Sequence, residues 1–260
     1  MLFVDVGPKQ VDQSWIINGE LKTRLLIGAG GHFCPIARHL GNANSDEPVV
    51  AQEIEFEMNA DQARSCNIQP EIPELYFCRD VQGYGWCFRK DNFLNIGLGR
   101  LDQHALSQHI SGFVEFLRAT GKLAFNLPGK LSGHAYLLFG YSRRKLVDDS
   151  VVLIGDAAGL AYPQSGEGIR PAVESGLLAA QVIKSAEGNY SRQHLTAYSD
   201  LLNKKFSNGG HSTALAGYLP HSLRNSLARF LLGREWFCRR VVVENWFLHS
   251  DSNELNRVIP

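Results

Sequence analysis

A chain of 260 residues with 44% hydrophobic and 20% charged residues has enough apolar content for one large core or two modest ones, which excludes a disordered chain. Its 26 basic and 26 acidic residues cancel, so no global field favours nucleic acid and a charged partner must meet a local patch. Cys34, Cys66, Cys78, Cys87 and Cys238 are odd in number and form no Cys-x-x-Cys pair, which suits a reducing compartment better than a disulfide framework or a zinc site. The first residues lack the basic start and long apolar core of a signal peptide, and no apolar run approaches membrane-spanning length, so a cytoplasmic protein is expected.

In chain order, Leu2-Phe3-Val4, Trp15-Ile16-Ile17 and the run from Leu21 to Ile27 predict a three-stranded meander, with Asn18-Gly19 as a hairpin turn. The run leads into Gly28-Ala29-Gly30-Gly31-His32-Phe33-Cys34-Pro35-Ile36-Ala37-Arg38. Gly28-x-Gly30 can open a Rossmann fingerprint with Glu53 or Glu55 as the ribose-binding acid; Phe33 in place of the third glycine, and Pro35 in a short helix, count against it. From Val49 the pattern alternates: Ile54, Phe56 and Met58 share one face and glutamates the other, the mark of a half-buried strand. Leu75 to Cys78 and Leu94 to Gly99 repeat it, predicting an antiparallel sheet. Tyr84, Trp86 and Phe88 also alternate, so their rings share a face, and either sheet core or the wall of an apolar cavity fits them, with Tyr and Trp supplying polar tips to a cavity. Gln108 to Ala119 has helical apolar spacing and ends at Gly121, and Leu123 to Phe139 reads as extended.

Val151 to Ile154 is an unbroken aliphatic run, as in a strand buried on both faces of a parallel sheet. Gly155-Asp156 ends it, placing a carboxylate where open α/β sheets hold ligands. Gly166-Glu167-Gly168 then lets backbone approach a ligand, and Pro171 fits the first turn of a helix carrying Val173, Leu177 and Val182. Free N–H groups at its start favour an anion or an electron-rich ring. Helices follow, broken at Gly188-Asn189-Tyr190 and at Asn208-Gly209-Gly210, with Leu223, Leu227, Phe230, Leu231, Phe237 and Val241 spaced helically in the tail. Between Lys204 and Arg240, the cations Lys204, Lys205, Arg224, Arg229, Arg234, Arg239 and Arg240 face only Glu235. A solvated face of a packing helix and an amphipathic contact with an anionic membrane surface both fit this imbalance. No His/Cys cluster, HExxH or Gly-x-Ser-x-Gly supports metal or nucleophilic chemistry.

Gly155-Asp156-Ala157-Ala158-Gly159, Pro163 and Gly166-Glu167-Gly168-Ile169 together resemble the second FAD-binding motif of geranylgeranyl reductases and para-hydroxybenzoate hydroxylase-like flavin monooxygenases. Gly28 to Arg38 resembles the family's GADG-x-x-S-x-V-R motif, with Gly30 in place of its Asp and Cys34 in place of its Ser. Tyr84, Trp86, Phe88 and Lys90, then Asn95-x-Gly97-x-Gly99, resemble YxWxFPK and N-x-G-x-G, with Arg89 in place of Pro.

The resemblance implies an α/β (α+β) protein: a partial FAD-binding layered α/β domain with an inserted antiparallel β-sheet substrate domain and a helical C-terminal tail. The expected division is 1–48 and 146–187 for the FAD-binding part, 49–145 for the substrate sheet and 188–260 for the helical region. It implies Gly155, Asp156, Ala157, Gly159, Pro163, Gly166, Glu167, Gly168, Ile169, Gly28 and Arg38 as cofactor-binding residues, and Tyr84, Trp86 and Phe88 as substrate residues, while naming no proton donor. The implied reaction is hydride transfer from reduced FAD, itself reduced by NADPH or another donor, to C=C bonds of an apolar, prenyl-type substrate; monooxygenation is the alternative. No GxGxxG βαβ unit stands in these residues, so the chain is expected to be truncated and to bind FAD weakly or not at all by itself, or to be a remnant completed by a partner.

Overall fold

The computed structural model describes residues 14–42, 48–102, 104–141, 144–207 and 221–249; the strand expected at Leu2-Phe3-Val4 and the turn at Asn208-Gly209-Gly210 lie outside them. In chain order the strands are β1 (Trp15–Ile17), β2 (Leu21–Thr23), β3 (Leu26–Gly28), β4 (Val49–Glu57), β5 (Glu74–Phe77), β6 (Gly83–Lys90), β7 (Phe93–Arg100), β8 (Ser132–Tyr136), β9 (Val147–Asp148) and β10 (Val151–Leu153). The helices are α1 (Pro35–His39), α2 (Ala60–Ser65), α3 (Leu106–Ala119), α4 (Ile169–Ser185), α5 (Arg192–Ser207), α6 (His221–Leu232) and α7 (Glu235–Phe237), the last widening into a π-helix at Cys238–Phe247. The described residues form two compact units, one within 1–47, 136–220 and 234–260, the other within 48–135 and 221–233. The described residues of 136–145 thus group with the first unit, contrary to the expected boundary, because Leu138 bridges Ala161 and the Phe139 N–H bonds the Ala161 carbonyl at 2.8 Å. The expected 188–260 region is likewise divided, α5 falling in the first unit and α6 in the second.

In the first unit, β1 and β2 form a hairpin whose Asn18 and Gly19 take φ of 54° and 73°, the paired left-handed residues of a type I′ turn. The expected strand from Leu21 to Ile27 is broken. The Thr23 hydroxyl bonds both the carbonyl and the N–H of Leu25, a local side-chain turn that ends the hairpin ladder and sends β3 into another sheet. There β10 lies between β3, parallel, and β9, antiparallel. Val151, Val152 and Leu153 are fully buried against Ala179 and Val182 of α4 and Leu195, Tyr198 and Leu202 of α5. The Tyr198 hydroxyl donates to the Leu153 carbonyl at 2.7 Å. On α4 one expectation fails: Val173 points outward, and the inward positions are Glu174 and Ser175.

The second unit is a five-stranded sheet in the order β5-β6-β7-β4-β8. The β4–β7 register sets Ile54 opposite Ile96 and Phe56 opposite Leu94, and α3 covers this face with Ile110, Phe113 and Leu117. Gly85 lies beneath the Phe113 ring, where a Cβ would come within 2.7 Å of it. Gly121, at φ 72°, ends α3 as expected. The extended stretch expected from Leu123 to Phe139 contracts to β8, with Pro128-Gly129 among the turns before it. On α6, Leu227 and Phe230 are exposed, so the helical apolar spacing in this tail does not seat those two residues in a core.

Candidate functional site

Leu153 ends β10 and the chain turns at once, with Gly155 at φ 56° and Gly159 at φ 71° bracketing a single 3₁₀ turn, Gly155–Ala158. Both conformations disfavour side chains, which is why glycines stand there. The turn is held from two directions. Buried Ser175 of α4 accepts the Gly155 N–H at 3.0 Å, and Arg144 donates to the Ala157 carbonyl at 2.8 Å. Asp156 is thereby fixed beside the start of α4: a Cβ on Gly168 would lie 3.1 Å from its Oδ1.

A second turn precedes α4. The Tyr162 N–H bonds the Glu167 carbonyl at 3.0 Å and the Gly166 N–H bonds the Tyr162 carbonyl at 2.7 Å. Gly166 takes φ 69°, with space for a Cβ closed by the Tyr136 hydroxyl at 2.6 Å. Glu167 caps the helix, its Oε1 accepting the Arg170 N–H at 2.7 Å, while its buried Oε2 has no hydrogen-bond partner among the described residues. The Gly168 and Ile169 N–H groups bond no described residue, and the Ile169 side chain is exposed. Two free donors, the Asp156 carboxylate and one orphan acceptor therefore share one helix end.

One turn further along α4, buried Glu174 meets Arg170 Nε at 3.0 Å and Lys205 Nζ at 3.2 Å, and Tyr162 lies between its hydroxyl contact with Glu174 and the ring of His249, whose centroid is 4.0 Å away. Burial, then the Glu174 charge, push the Tyr162 phenol above its ordinary range, and burial lowers the His249 imidazole. Neutralising Glu174 twice over lets a carboxylate sit in the helix face that packs on α5. Among the described residues no cluster of His, Cys, Asp and Glu can hold a metal, and no helix is long and apolar enough to cross a membrane.

The other predicted residues divide. Gly155, Asp156, Ala157, Gly159, Pro163, Gly166, Glu167, Gly168 and Ile169 all lie on the two turns and the helix start just described. Gly28 is buried, its Cβ position only 2.4 Å from Leu153 Cδ2 and its carbonyl bonded to the Ile154 N–H, so it serves the β3–β10 pairing. Arg38 is on the surface, bonding the Phe33 carbonyl at 2.8 Å. The Rossmann alternative fails. Helix α1 has five residues, the parallel neighbour of β3 is β10, and Glu53 and Glu55 lie on β4 in the other sheet. Ser175, Tyr136 and Arg144 carry no motif in the sequence; only their contacts with the two turns mark them.

Tyr84, Trp86 and Phe88 lie on the sheet face opposite to α3, since their neighbours Gly85 and Cys87 face that helix and its core. Core is therefore not their place in this unit. Leu75 and Phe77 join them on this face, with ring centroids 5.8 Å apart for Phe77–Tyr84 and 5.9 Å for Tyr84–Trp86. The expected polar tip of Trp86 is used internally: its indole N–H donates to Asn95 Oδ1 at 2.8 Å. On the covered face, burial pushes the Cys87 thiol up to about 12, marking it as inert core.

No protein-family model matches the chain. It is 28% identical over 221 residues to digeranylgeranylglycerophospholipid reductase 1 of Methanothermobacter thermautotrophicus, covering 78% of this chain and 53% of that protein. To the enzyme called digeranylgeranylglycerophospholipid reductase 1 in Methanosphaera stadtmanae it is 32% identical over 190 residues, 69% of this chain and 44% of the relative. A geranylgeranyl bacteriochlorophyll reductase-like protein from Thermoplasma acidophilum superposes with a TM-score of 0.62 at 18% identity, over 92% of this chain and 64% of that one. The chain is similar in sequence to digeranylgeranylglycerophospholipid reductases and shares the fold of a geranylgeranyl reductase-like protein. A probable FAD-dependent monooxygenase from Pseudomonas aeruginosa shares the fold, with a TM-score of 0.54 at 14% identity over 87% of this chain and 66% of that one. The chain spans about half the length of the curated relatives it matches.

Proposed function

We propose that this chain belongs to a flavin-dependent reductase of C=C bonds in prenyl-type chains, and that it contributes the ribityl and ring half of the FAD site together with the substrate sheet. The observation that carries the reading is the meeting of Asp156 with Gly168 at the start of α4. The residues fit the group. Gly168, lacking a Cβ, lets the helix start lie directly against the Asp156 carboxylate, its N–H and that of Ile169 bond no described residue, and Glu167 Oε2 is a buried acceptor with no partner among the described residues. Asp156 would accept from ribityl hydroxyls, and the Gly168 and Ile169 N–H groups would donate to the electron-rich edge of the ring. FAD, when bound and reduced by NADPH or another donor, supplies the hydride. The aromatic face of the sheet would seat the hydrocarbon and exclude water from it.

The finer parts of the reading follow the residues. The 260-residue polypeptide holds FAD weakly by itself, because no GxGxxG stands in it to carry the ADP half; a remnant completed by another segment fits the same residues. Exposed Arg229, Arg234, Arg239 and Arg240, with Leu227, Phe230 and Trp236 also exposed, favour contact with an anionic membrane surface, where prenyl lipids reside. Monooxygenation is the second reading, favoured by the fold shared with monooxygenases. The test is to incubate the protein anaerobically with excess FAD, dithionite and geranylgeraniol, and to weigh the product. Addition of a pair of hydrogens per double bond supports the reductase, whereas an oxygen atom gained only after aeration supports the alternative. An unaltered prenol under both conditions, from protein shown to bind FAD, contradicts both.

A further inference from the structure

We infer that Asn95 is a positioning residue that selects hydrocarbon over polar ligands on the aromatic sheet face, by consuming the one strong donor on the Trp86 ring. The inference rests on the reading of that face as the substrate platform. Asn95 lies on β7, diagonal to Trp86 of β6 and directly opposite Glu55 of β4. Its Oδ1 accepts the indole N–H at 2.8 Å, and its Nδ2 points the other way, 3.2 Å from Glu55 Oε2 and 3.5 Å from Glu53 Oε2. The two carboxylates, acceptors only, fix which end of the amide faces the indole. Charge on the acceptor strengthens that bond and, through the polarised amide, the bond to Trp86.

Gly97 completes the arrangement. It lies directly opposite Trp86, and a Cβ there would come within 2.2 Å of the indole Cζ2 and 2.8 Å of Glu53 Cβ. The indole is therefore laid down over a bare stretch of β7, its N–H turned sideways into Asn95, which leaves the ring face for a ligand. A Trp at a polar subsite keeps its N–H for the ligand; this one does not. A ligand bearing a hydrogen-bond acceptor gains nothing from the ring, while an isoprenoid chain gains contact area without stranding a donor.

The experiment uses full-length protein labelled with ¹⁵N-tryptophan, in which each indole gives one N–H resonance and W86F assigns that of Trp86. In the parent protein the Trp86 N–H exchanges slowly with solvent. In N95L it exchanges at least tenfold faster, whereas in N95D/E55Q exchange stays slow, because a carboxylate still accepts the indole N–H and the new amide at position 55 donates to that carboxylate. The same proteins are titrated with geranylgeraniol and with an oligoethylene glycol chain of matching length. The parent prefers the prenol, N95L narrows that preference by about three- to tenfold, as loss of one neutral hydrogen bond implies, and N95D/E55Q recovers it. Circular dichroism and urea midpoints show that the variants are folded. Unchanged Trp86 exchange and unchanged preference in folded N95L overturn the inference, as does fast Trp86 exchange in folded N95D/E55Q. Loss of prenol binding in W86A is expected; retention of it in W86A refutes the platform reading itself, whatever the exchange rates.

Discussion

Replacing Gly166 by Ala separates two costs that the turn before α4 avoids by having glycine. The residue sits at φ 69°, where an L side chain costs about 1–2 kcal/mol. Its Cβ would also lie 2.6 Å from the Tyr136 hydroxyl, and forcing a group into a filled space costs about 1–3 kcal/mol. The total, about 2–5 kcal/mol, corresponds to a fall in Tm of roughly 5–15 °C for a protein of this size. Y136F removes the clashing oxygen and leaves the nearest ring carbons at 3.3 Å, a distance that small shifts absorb. Urea unfolding of G166A, Y136F and the double variant therefore gives a coupling of about 1–3 kcal/mol, with the backbone share of about 1–2 kcal/mol surviving in the Y136F background. Equal destabilisation by G166A with and without the hydroxyl would refute the packing of Tyr136 on this turn.

Asp156→Ala lowers flavin affinity about ten- to hundredfold, as loss of a charge-assisted hydrogen bond implies; isothermal titration on folded protein reads it, and an unaltered affinity removes Asp156 from the site. Arg100, fully buried, binds Asp80 Oδ2 at 2.6 Å and Asp102 Oδ1 at 2.7 Å, and its hydrogen bonds hold both carboxyls below their ordinary range. Their folded values being lowered, the stability they add is complete above about pH 4, the unfolded value, and disappears as pH falls through the folded ones. R100M should thus lose stability at neutral pH and show a flatter acid limb in pH-dependent melts; a limb as steep as the parent's would contradict this. Vesicle sedimentation checks the tail: binding to anionic vesicles should fall with salt and when Arg229, Arg234 and Arg239 become Gln, and equal binding to neutral vesicles would exclude an electrostatic contact.

The two glycine turns around α4 were legible in the sequence because their chemistry is written in backbone needs. Gly155, Gly159 and Gly166 all have positive φ, and Gly168 sits against Asp156; such positions leave a spaced run of glycines that side-chain chemistry would not predict. What holds those turns was not legible. Ser175, Tyr136 and Arg144 act across the fold, at separations that no local pattern encodes. Alternation put Tyr84, Trp86 and Phe88 on a common face but could not say which, since a period of two is the same from either side; Gly85 beneath Phe113 and Cys87 in the covered core decide it. Helix α2 was missed although its Asn59–Gln62 capping box is plain in the sequence. The outward turn of Val173 in favour of Glu174 was hidden because a buried carboxylate needs partners, and Lys205 lies a helix away.

The most direct test of the central claim is to titrate the 260-residue polypeptide with FAD and with FMN, following flavin fluorescence, in the parent and in D156A. If Asp156, Gly168 and Ile169 hold the ribityl chain and ring while nothing here grips the ADP half, both flavins should bind weakly, with affinities within about threefold of each other, and D156A should weaken both alike. Stoichiometric FAD that survives purification, far outcompetes FMN and is indifferent to Asp156 would contradict the account and place the dinucleotide site elsewhere, at Gly28-Ala29-Gly30-Gly31.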